Sequence, residues 1–335
     1  LGIPAEPLFR SRDVKGNTYV TVENSSTTVG ETTTTTIPTI YHNIYGGGAY
    51  GSVGDFTYDA TGMPTARKAN TTGGTTNITI TGGTIGTDGK ENGLIFGSSR
   101  GDVDAPGSIQ DKLAWVYDTH VTIGTSGPGT TLTTPLIKGS VYGSGENGHT
   151  FNDTEVIVHS GTIGIADGEP ITDNNGTPDV ATDDKTYSGA AYPYRGNVYG
   201  GGCGTDKYYQ DLDGVTNPYD GNGDTYNPLA GIVYGTTTVT MDGGQVVHNI
   251  YGAGAMGSVG KMNNTGAITS GGTTTIEISG GTVGVDGTVD DGNVFGAARG
   301  DATAPKGLAQ VKTTNVTISG TATGTIIKGN VYGGG

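Results

Sequence analysis

Two stretches of the chain carry the glycine spacing G-x-G-x-x-G, "HNIYGGGAYGSVG" at 42–54 and "HNIYGAGAMGSVG" at 248–260. In dinucleotide-binding domains this spacing lets the backbone wrap a pyrophosphate, provided that a strand precedes the glycines and a helix follows them. Residues 52–75 show no helical periodicity, and the glycine run returns elsewhere as "YGSG", "FGSS" and "FGAA". The glycines therefore indicate a turn between strands rather than a nucleotide-binding loop.

Carboxylates and amides with a spacing that suits calcium occur in "DNNGTPD" at 173–179 and in "DLDGVTNPYDGNGD" at 211–224. Calcium takes about six to eight oxygen ligands, and glycine lets a short loop curl around the ion. The predicted metal ligands, for a structural Ca²⁺ ion, are Asp173, Asn175, Asp179, Asp211, Asp213 and Asp220. Neither stretch ends in the Glu of an EF-hand, and a pair of solvated acidic turns is the alternative.

The tripeptide Arg-Gly-Asp occurs twice, in "SRGDV" and "ARGDA". On an exposed turn it is the sequence that several host integrins recognise, with the Asp completing a metal site. The candidate receptor-binding residues are Arg100, Asp102, Arg299 and Asp301. Two alternatives stay open, which are chance occurrence in a glycine-rich loop and an Arg–Asp pair across the turn.

The histidines and the single cysteine give weaker indications of chemistry. The histidines stand at 42, 120, 149, 159 and 248, in different parts of the chain, so structural or surface positions are favoured over a zinc site. Cys203 has no partner for an intrachain disulfide and is predicted to be a small buried or semi-exposed residue. No enzymatic activity is predicted, because basic residues are sparse. A polysaccharide-active enzyme, with carboxylates converging from distant positions, is kept as an alternative.

Composition restricts the partners of the chain. Of 335 residues 64 are Gly and only 32% are hydrophobic, so a thin, elongated core is expected rather than a spherical one. The net charge of −15 would repel nucleic acid. No apolar run approaches the length of a membrane span, so no membrane insertion is predicted for this segment. The first residues lack the pattern of a signal peptide, and we expect that any such peptide has been removed.

The elements that must position these residues are repeats. A β-branched or aliphatic residue followed by an aromatic residue and glycine recurs at 43–48, 94–99, 140–145, 197–202, 249–254, 293–298 and 330–335. Most copies follow a run such as "TNITITGGTI" at 76–85, in which Ile78 and Ile80 face one side and Thr79 and Thr81 the other. In the first copy, "TTTTTIPTIY" takes the place of this run. Each module therefore indicates strands of a few residues joined by glycine turns.

This pattern predicts an all-β chain, folded as a right-handed parallel β-helix or a related β-solenoid of tandem repeats. Residues 1–19 are assigned to an N-terminal segment or linker and 20–335 to one continuous solenoid. Its loop inserts, chiefly 165–194 and 203–230, are expected on one side. The repeating aromatic residues are predicted to stack one per coil, in the core or along an edge, in preference to forming a carbohydrate platform. The seven predicted modules are 20–48, 76–99, 120–145, 154–202, 237–254, 274–298 and 314–335.

The modules themselves repeat in groups, with a longer period. The stretch 93–107 returns as 292–307, and "LIKGSVYGSG" at 136–145 returns as "IIKGNVYGGG" at 326–335. Four modules thus form one super-repeat. Because the chain stops within the pattern, we expect it to be a piece of a longer array.

The chain resembles the large glycine-rich repeat proteins on the surfaces of gut and oral Gram-negative anaerobes. The resemblance is carried by the repeated runs of the type "GNVYGGG" and "ITISGGTIG". The resemblance implies an extracellular, β-helical adhesin or fibre component on the bacterial cell surface. It implies attachment to a carbohydrate or host-surface ligand, or to copies of the chain end to end, and it supplies no catalytic residues. The expected function is a rigid rod that displays loops for adhesion. The alternatives are a self-assembling filament subunit and a polysaccharide-active enzyme.

Overall fold

The structure, a computed structural model, describes residues 13–86, 92–102, 107–127, 135–165, 170–173, 185–188, 195–204, 227–263, 266–286, 291–300, 307–320 and 324–335. Strands make up 44% and helix 1%, which confirms the all-β prediction. Helix within the described part is a single turn at Gly107–Gln110. The long parallel sheets are curled as a half-barrel.

The largest sheet has twelve strands and contains two rows side by side. In the first, called the long row, neighbouring strands pair in parallel and in chain order. Its strands are Thr18–Val22, Thr75–Ile80, Asp118–Ile123, Thr154–Val158, Thr237–Val246, Thr273–Val283 and Thr313–Ile318. The second, or short row, is also parallel and uses the far ends of Thr237–Val246 and Thr273–Val283. Its other strands are Thr39–Ile40, Thr84–Ile85, Leu136–Ile137, Thr162–Ile163 and Thr325–Ile327.

A second sheet of seven parallel strands, the aromatic row, collects the repeated aromatic residues. Its strands are Ile44–Tyr45, Ile95–Phe96, Val141–Tyr142, Val198–Tyr199, Ile250–Tyr251, Val294–Phe295 and Val331–Tyr332. Every pair is in register, aliphatic residue to aliphatic residue and ring to ring.

A fourth line of parallel pairing, the bridge row, follows the aromatic row in the first five circuits. It joins Val14, Val53, the strand Trp115–Val116, the strand His149–Thr150, Val233 and Val259. One circuit through the long, short, aromatic and bridge rows is called a pass. Passes 1 to 7 span residues 18–53, 75–116, 118–150, 154–233, 237–259, 273–311 and 313–332.

Antiparallel strand pairs leave the passes at different corners. Hairpin A, Ser25–Val29 with Thr32–Thr36, lies between the long and short rows of pass 1. Hairpin B, Phe56–Tyr58 with Pro64–Arg67, and hairpin C, Lys261–Met262 with Ile268–Ser270, follow the bridge row of passes 1 and 5. The strands Pro170–Asp173 and Lys185–Ser188 pair within pass 4. The expectation that insertions leave from one side is therefore wrong, because turns at several corners can be lengthened without disturbing the register.

The main core lies between the rows. In the strand Thr75–Ile80, Ile78 and Ile80 are buried while the alternate residues are half-buried, which confirms the predicted two-residue period. Equivalent Val, Ile and Met residues from all passes form one continuous cluster. Burial of apolar surface stabilises a fold by about 25 cal/mol per Å². Because neighbouring passes cover the apolar surface of each pass, each pass is stabilised chiefly by its neighbours.

The first pass differs from the sequence expectation. "TTTTT" at 32–36 was assigned to the long strand of this module, but it forms the exposed second strand of hairpin A. The long strand is "TYVTV" at Thr18–Val22, which pairs residue by residue with Thr76–Ile80. Thr18 and Tyr19 thus belong to the paired strands, two residues before the boundary that was drawn at 20. The alternation of Val20 and Val22 with polar residues was the signal in the sequence.

Candidate functional site

A column of seven aromatic rings runs along the aromatic row. Successive ring centroids are 4.6–5.1 Å apart, and all neighbouring rings are stacked. The rings form a second cluster with Leu94, Ile165 and Cys203, while the aliphatic residue before each ring joins the main core. Phe96 and Tyr199 are buried. The predicted stack of one ring per pass is confirmed, and over most of its length it is packed rather than open to a ligand.

Burial disfavours the charged form of two phenols of this column. Burial raises the pKa of Tyr251 to about 12. Burial, followed by the charge and hydrogen bond of Glu146, raises the pKa of Tyr45 as well. Both side chains are therefore neutral at neutral pH.

A ladder of threonine hydroxyls, which the sequence analysis missed, ties the long row to the aromatic row. In every pass a Thr of the long strand donates to the carbonyl oxygen of the glycine that follows the aromatic residue. Six of these bonds span 2.5–2.6 Å, and Thr314 donates in the same way to Gly333. The donors are Thr18, Thr76, Thr119, Thr154, Thr237, Thr274 and Thr314. The available signal was the Thr, preceded by Thr, Asp or Asn, that stands before each apolar run.

The positions whose carbonyl oxygens accept these bonds must also be glycine for a steric reason. A Cβ placed on Gly143 would lie 2.1 Å from the carbonyl oxygen of Gly200 in the next pass. The same close approach recurs at Gly46, Gly97, Gly200, Gly252 and Gly296. Glycine is therefore required where adjacent passes approach each other, and Gly46, the first glycine of the G-x-G-x-x-G spacing at 46–51, belongs to this contact.

An asparagine ladder explains the Asn that directly precedes five of the seven aromatic strands, at 43, 197, 249, 293 and 330. The side-chain oxygen of Asn249 accepts the backbone N–H of Asn293 at 2.8 Å, and that of Asn293 accepts the backbone N–H of Asn330 at 2.8 Å. Asn43 and Asn197 act in the same way toward Leu94 and Asn249. Each amide thus satisfies a backbone donor of the following pass, as buried polar groups require.

The first Arg-Gly-Asp is held between passes 1 and 3. The backbone N–H of Arg100 donates to Gly48 and that of Gly101 to Ala49, and the Arg100 carbonyl accepts two N–H groups, from Asn147 and Gly148. The Arg100 guanidinium lies 3.6 Å from the carboxylate of Glu146, whose side chain is 6% exposed. Glu146 also accepts the hydroxyl of Tyr45. The arginine therefore has a buried acidic partner, Glu146, within the chain, and the charge of Asp102 in its own tripeptide acts on it as well.

Sequence reasoning missed Glu146, although a signal was present. Arg100 follows Phe96 by four residues and Glu146 follows Tyr142 by four, so both hold the same place in consecutive passes. Side chains at equal places in neighbouring strands lie one strand spacing apart. The position of Glu146 could have been derived from the repeat.

The second Arg-Gly-Asp holds the same place in pass 6. Arg299 and Gly300 donate to the carbonyls of Gly254 and Ala255, as Arg100 and Gly101 do to Gly48 and Ala49. Arg299 is half-buried, and Asp301 lies outside the described residues. Asp102 is described and half-buried. The two tripeptides are four passes apart and do not form one site, and receptor binding by either stays a prediction.

The predicted calcium ligands lie mostly outside the described residues. Asn175, Asp179, Asp211, Asp213 and Asp220 are not described, and Asp173 is described only as the last residue of a strand. Among the described side chains, no three His, Cys, Asp or Glu residues are grouped to hold a metal ion. Calcium binding by the acidic stretches stays a prediction.

The histidines occupy two environments. His120 and His159 are on the surface, 2.9 Å from Glu155 and 2.8 Å from Asp242, and His42 lies 2.7 Å from Asn92. His248 is buried, and so is His149, whose ring nitrogens face the carbonyl oxygens of Leu229 and Gln110. Burial lowers the pKa of His149. These positions join neighbouring passes to each other and to their turns.

Cys203 is buried beside the aromatic column, which confirms its predicted placement as a small packed residue.

No helix among the described residues is long and apolar enough to cross a membrane. No protein-family model, curated protein or solved structure matches this chain.

Proposed function

We propose that the chain is a β-solenoid that serves as a rigid extracellular scaffold on a bacterial surface and displays hairpins and loops for attachment. The observation that carries the proposal is the register. Four rows of parallel pairing follow chain order without a crossing, so each pass rests on its neighbours and insertions leave only from the turns. Such an arrangement lengthens by repetition and keeps its cross-section, as a scaffold needs.

The location and the adhesive role come from the resemblance of the repeats to surface proteins of anaerobic bacteria. The acidic stretches at 173–179 and 211–224 are proposed as calcium-binding loops that stiffen the insertions of pass 4. The proposed partner is a carbohydrate or another host-surface ligand. A chain of net charge −15 is not expected to bind nucleic acid.

The shape is tested by small-angle X-ray scattering on the chain and on a version in which residues 42–247 are duplicated in tandem. The duplication adds one super-repeat of four passes. At about 4.8 Å per pass, the longest dimension should grow by about 19 Å, whereas the radius of gyration of the cross-section should stay constant. Growth in all directions would contradict a solenoid.

The adhesive role is tested with beads that carry the chain, applied to mucin-coated and fibronectin-coated surfaces with calcium or with EDTA. Beads coated with albumin are the control. Retention that is stronger than that of the albumin beads, and weaker in EDTA, is expected. Retention equal to that of the albumin beads on both surfaces would contradict adhesion.

A filament subunit is the second candidate, because the rows pair in the same register from pass to pass, and a pass of another copy can pair in the way that the next pass of the chain does. Negative-stain electron microscopy separates the two functions. Long fibres of stacked chains would support the filament, and discrete particles would support the scaffold.

A further inference from the structure

Hairpins B and C stand at equivalent places four passes apart. Each follows a bridge-row valine and a glycine, hairpin C directly after Val259-Gly260 in pass 5 and hairpin B one residue after Val53-Gly54 in pass 1. With about 4.8 Å between neighbouring strands, the two hairpins leave the stack about 19 Å apart. In passes 2, 3 and 4 the long strand follows the bridge row within a few residues, so these passes carry no hairpin at this corner. A strip of surface is thereby left between two ridges.

Aromatic side chains form the floor of this strip. Tyr117, Phe151 and Tyr234 each come directly after the bridge row of passes 2, 3 and 4. Their ring centroids are 5.6 Å apart for the first pair and 5.8 Å for the second, and all three side chains are half-buried. The three rings form an aromatic track that runs from one hairpin toward the other. Phe56 of hairpin B is buried against Tyr117 and Phe151, with ring centroids 6.2 and 5.7 Å apart, so Tyr234 is the ring of the track that lines the space described below.

A cation from each hairpin lies over one end of the track. The guanidinium carbon of Arg67 in hairpin B lies 3.6 Å from the centroid of Tyr117. The ammonium of Lys261 in hairpin C lies 5.4 Å from the centroid of Tyr234. These contacts fix both hairpins to the floor, and they hold the ridges in place around the space between them.

That space is a cavity of about 810 Å³ at the pass-4 end of the track. Its apolar lining is the exposed Pro228 together with Met63 and Pro64 of hairpin B, Met262 of hairpin C, and Leu229 and Tyr234 of pass 4. Apart from Pro228, the apolar lining residues lie deeper than the polar ones. These deeper residues are buried or half-buried, whereas Asp59, Thr65, Lys261 and Asn263, which also line the cavity, are exposed. The cavity thus has an apolar floor and a polar rim, and its volume falls in the range of about 300–1,000 Å³ that is usual for ligand sites.

We propose that this hairpin groove binds a neutral oligosaccharide. A sugar ring has an apolar face of C–H groups, which packs on an aromatic ring, and hydroxyls around its edge, which both donate and accept hydrogen bonds. The rim supplies a carboxylate, a hydroxyl, an amide and an ammonium, which are donors and acceptors of the kinds that a sugar edge uses. One oxygen of Asp59 and the side-chain oxygen of Asn263 already accept hydrogen bonds within their hairpins. An acidic glycan is disfavoured by the net charge of −15. The inference rests on the proposed attachment function for its biological role and on the groove alone for its chemistry.

The single tryptophan offers a direct readout of binding. Trp115 is buried, and its ring centroid is 4.9 Å from that of Tyr234. A sugar that settles on Tyr234 changes the surroundings of the indole, and titration of the full chain should give a saturable change in tryptophan fluorescence. The probes are cellotetraose, maltotetraose, mannotetraose and chitotetraose, with deca-proline as a peptide probe for the same groove.

At least one tetrasaccharide is expected to bind with a Kd of about 10 µM to 1 mM. Met262→Ala and Lys261→Ala, both on hairpin C, should weaken that Kd about 3- to 10-fold, and Tyr234→Ala should weaken it more than about 10-fold. Tyr41→Ala removes a ring that is 66% exposed and outside the groove, and this variant should bind like the unchanged chain. Circular dichroism identifies any variant that fails to fold, and the hairpin variants keep the test valid if Tyr234→Ala does.

Three results would overturn the proposal. They are the absence of a fluorescence change with all four sugars at 10 mM (about ten times the weakest Kd expected), binding that the hairpin variants leave unchanged, and binding of deca-proline alone. None of them bears on the shape measured by scattering or on bead retention. A failure of the sugar site is therefore distinguishable from a failure of the scaffold function.

Discussion

Passes 3 and 7 carry nearly the same sequence and differ in what covers them. "THVTI" at 119–123 corresponds to "TNVTI" at 314–318, and "IKGSVYG" at 137–143 to "IKGNVYG" at 327–333. Ile123 is fully buried whereas Ile318 is 38% exposed, and Tyr142 is 4% exposed whereas Tyr332 is 44% exposed. Pass 3 lies between passes 2 and 4, while pass 7 pairs with pass 6 alone among the described residues. The burial of a residue in this chain therefore depends on whether neighbouring passes cover it, and not on the sequence of its own pass.

Substitution by alanine of the glycine that accepts the ladder threonine should give the largest difference in stability between passes 3 and 7. A Cβ on Gly143 meets backbone of pass 4 at 2.1 Å, whereas a Cβ on Gly333 meets nothing within 4 Å. Gly143→Ala should lower the free energy of unfolding by about 4 kcal/mol or more, because backbone must move. Gly333→Ala should change it by less than about 0.5 kcal/mol. Urea unfolding followed by circular dichroism measures both, and equal effects would refute the stacked register of passes 3 and 4.

Removal of an isoleucine side chain should have the next largest effect. Ile123→Ala leaves a cavity in the main core and should cost about 2–5 kcal/mol. Ile318→Ala removes a side chain that is already 38% exposed and should cost less than about 1 kcal/mol. Hydrogen exchange of the amides in each pass is the second measurement, since repeat proteins can open pass by pass. A large loss at Ile318 would show that pass 7 is covered in solution, for example by another copy of the chain.

Substitution of the ladder threonine should give the smallest difference in stability between passes 3 and 7. Thr119→Val keeps the shape of the side chain but removes the hydroxyl that donates to Gly143 inside the stack, at a cost of about 1–2 kcal/mol. At Thr314 the same change should cost less than about 0.5 kcal/mol, because this half-exposed hydroxyl can be replaced by water. Equal stability of Thr119→Val and the unchanged chain would show that the buried ladder contributes only geometry.

The sequence allowed much of the fold to be predicted and little of the sites. The alternation around Ile78 and Ile80 and the repeated aromatic-glycine run predicted parallel strands and the ring column, because these patterns are periodic along the chain. Hairpin A was misassigned, since a run of five threonines fits an exposed hairpin strand as well as a long-row strand. The ion pair of Arg100 with Glu146 and the groove between hairpins B and C were missed. Both join residues that are distant in sequence.

By itself, the sequence determined the period, the positions that need glycine and the alternation of buried and polar side chains. These follow from the pleat of a strand and from the absence of a Cβ, which are local properties. Only the tertiary structure decided which equivalent residues are buried, which arginine meets a buried carboxylate and which hairpins face each other. Those outcomes depend on the number of passes between two elements and on what lies above and below, and a single repeat does not contain that information.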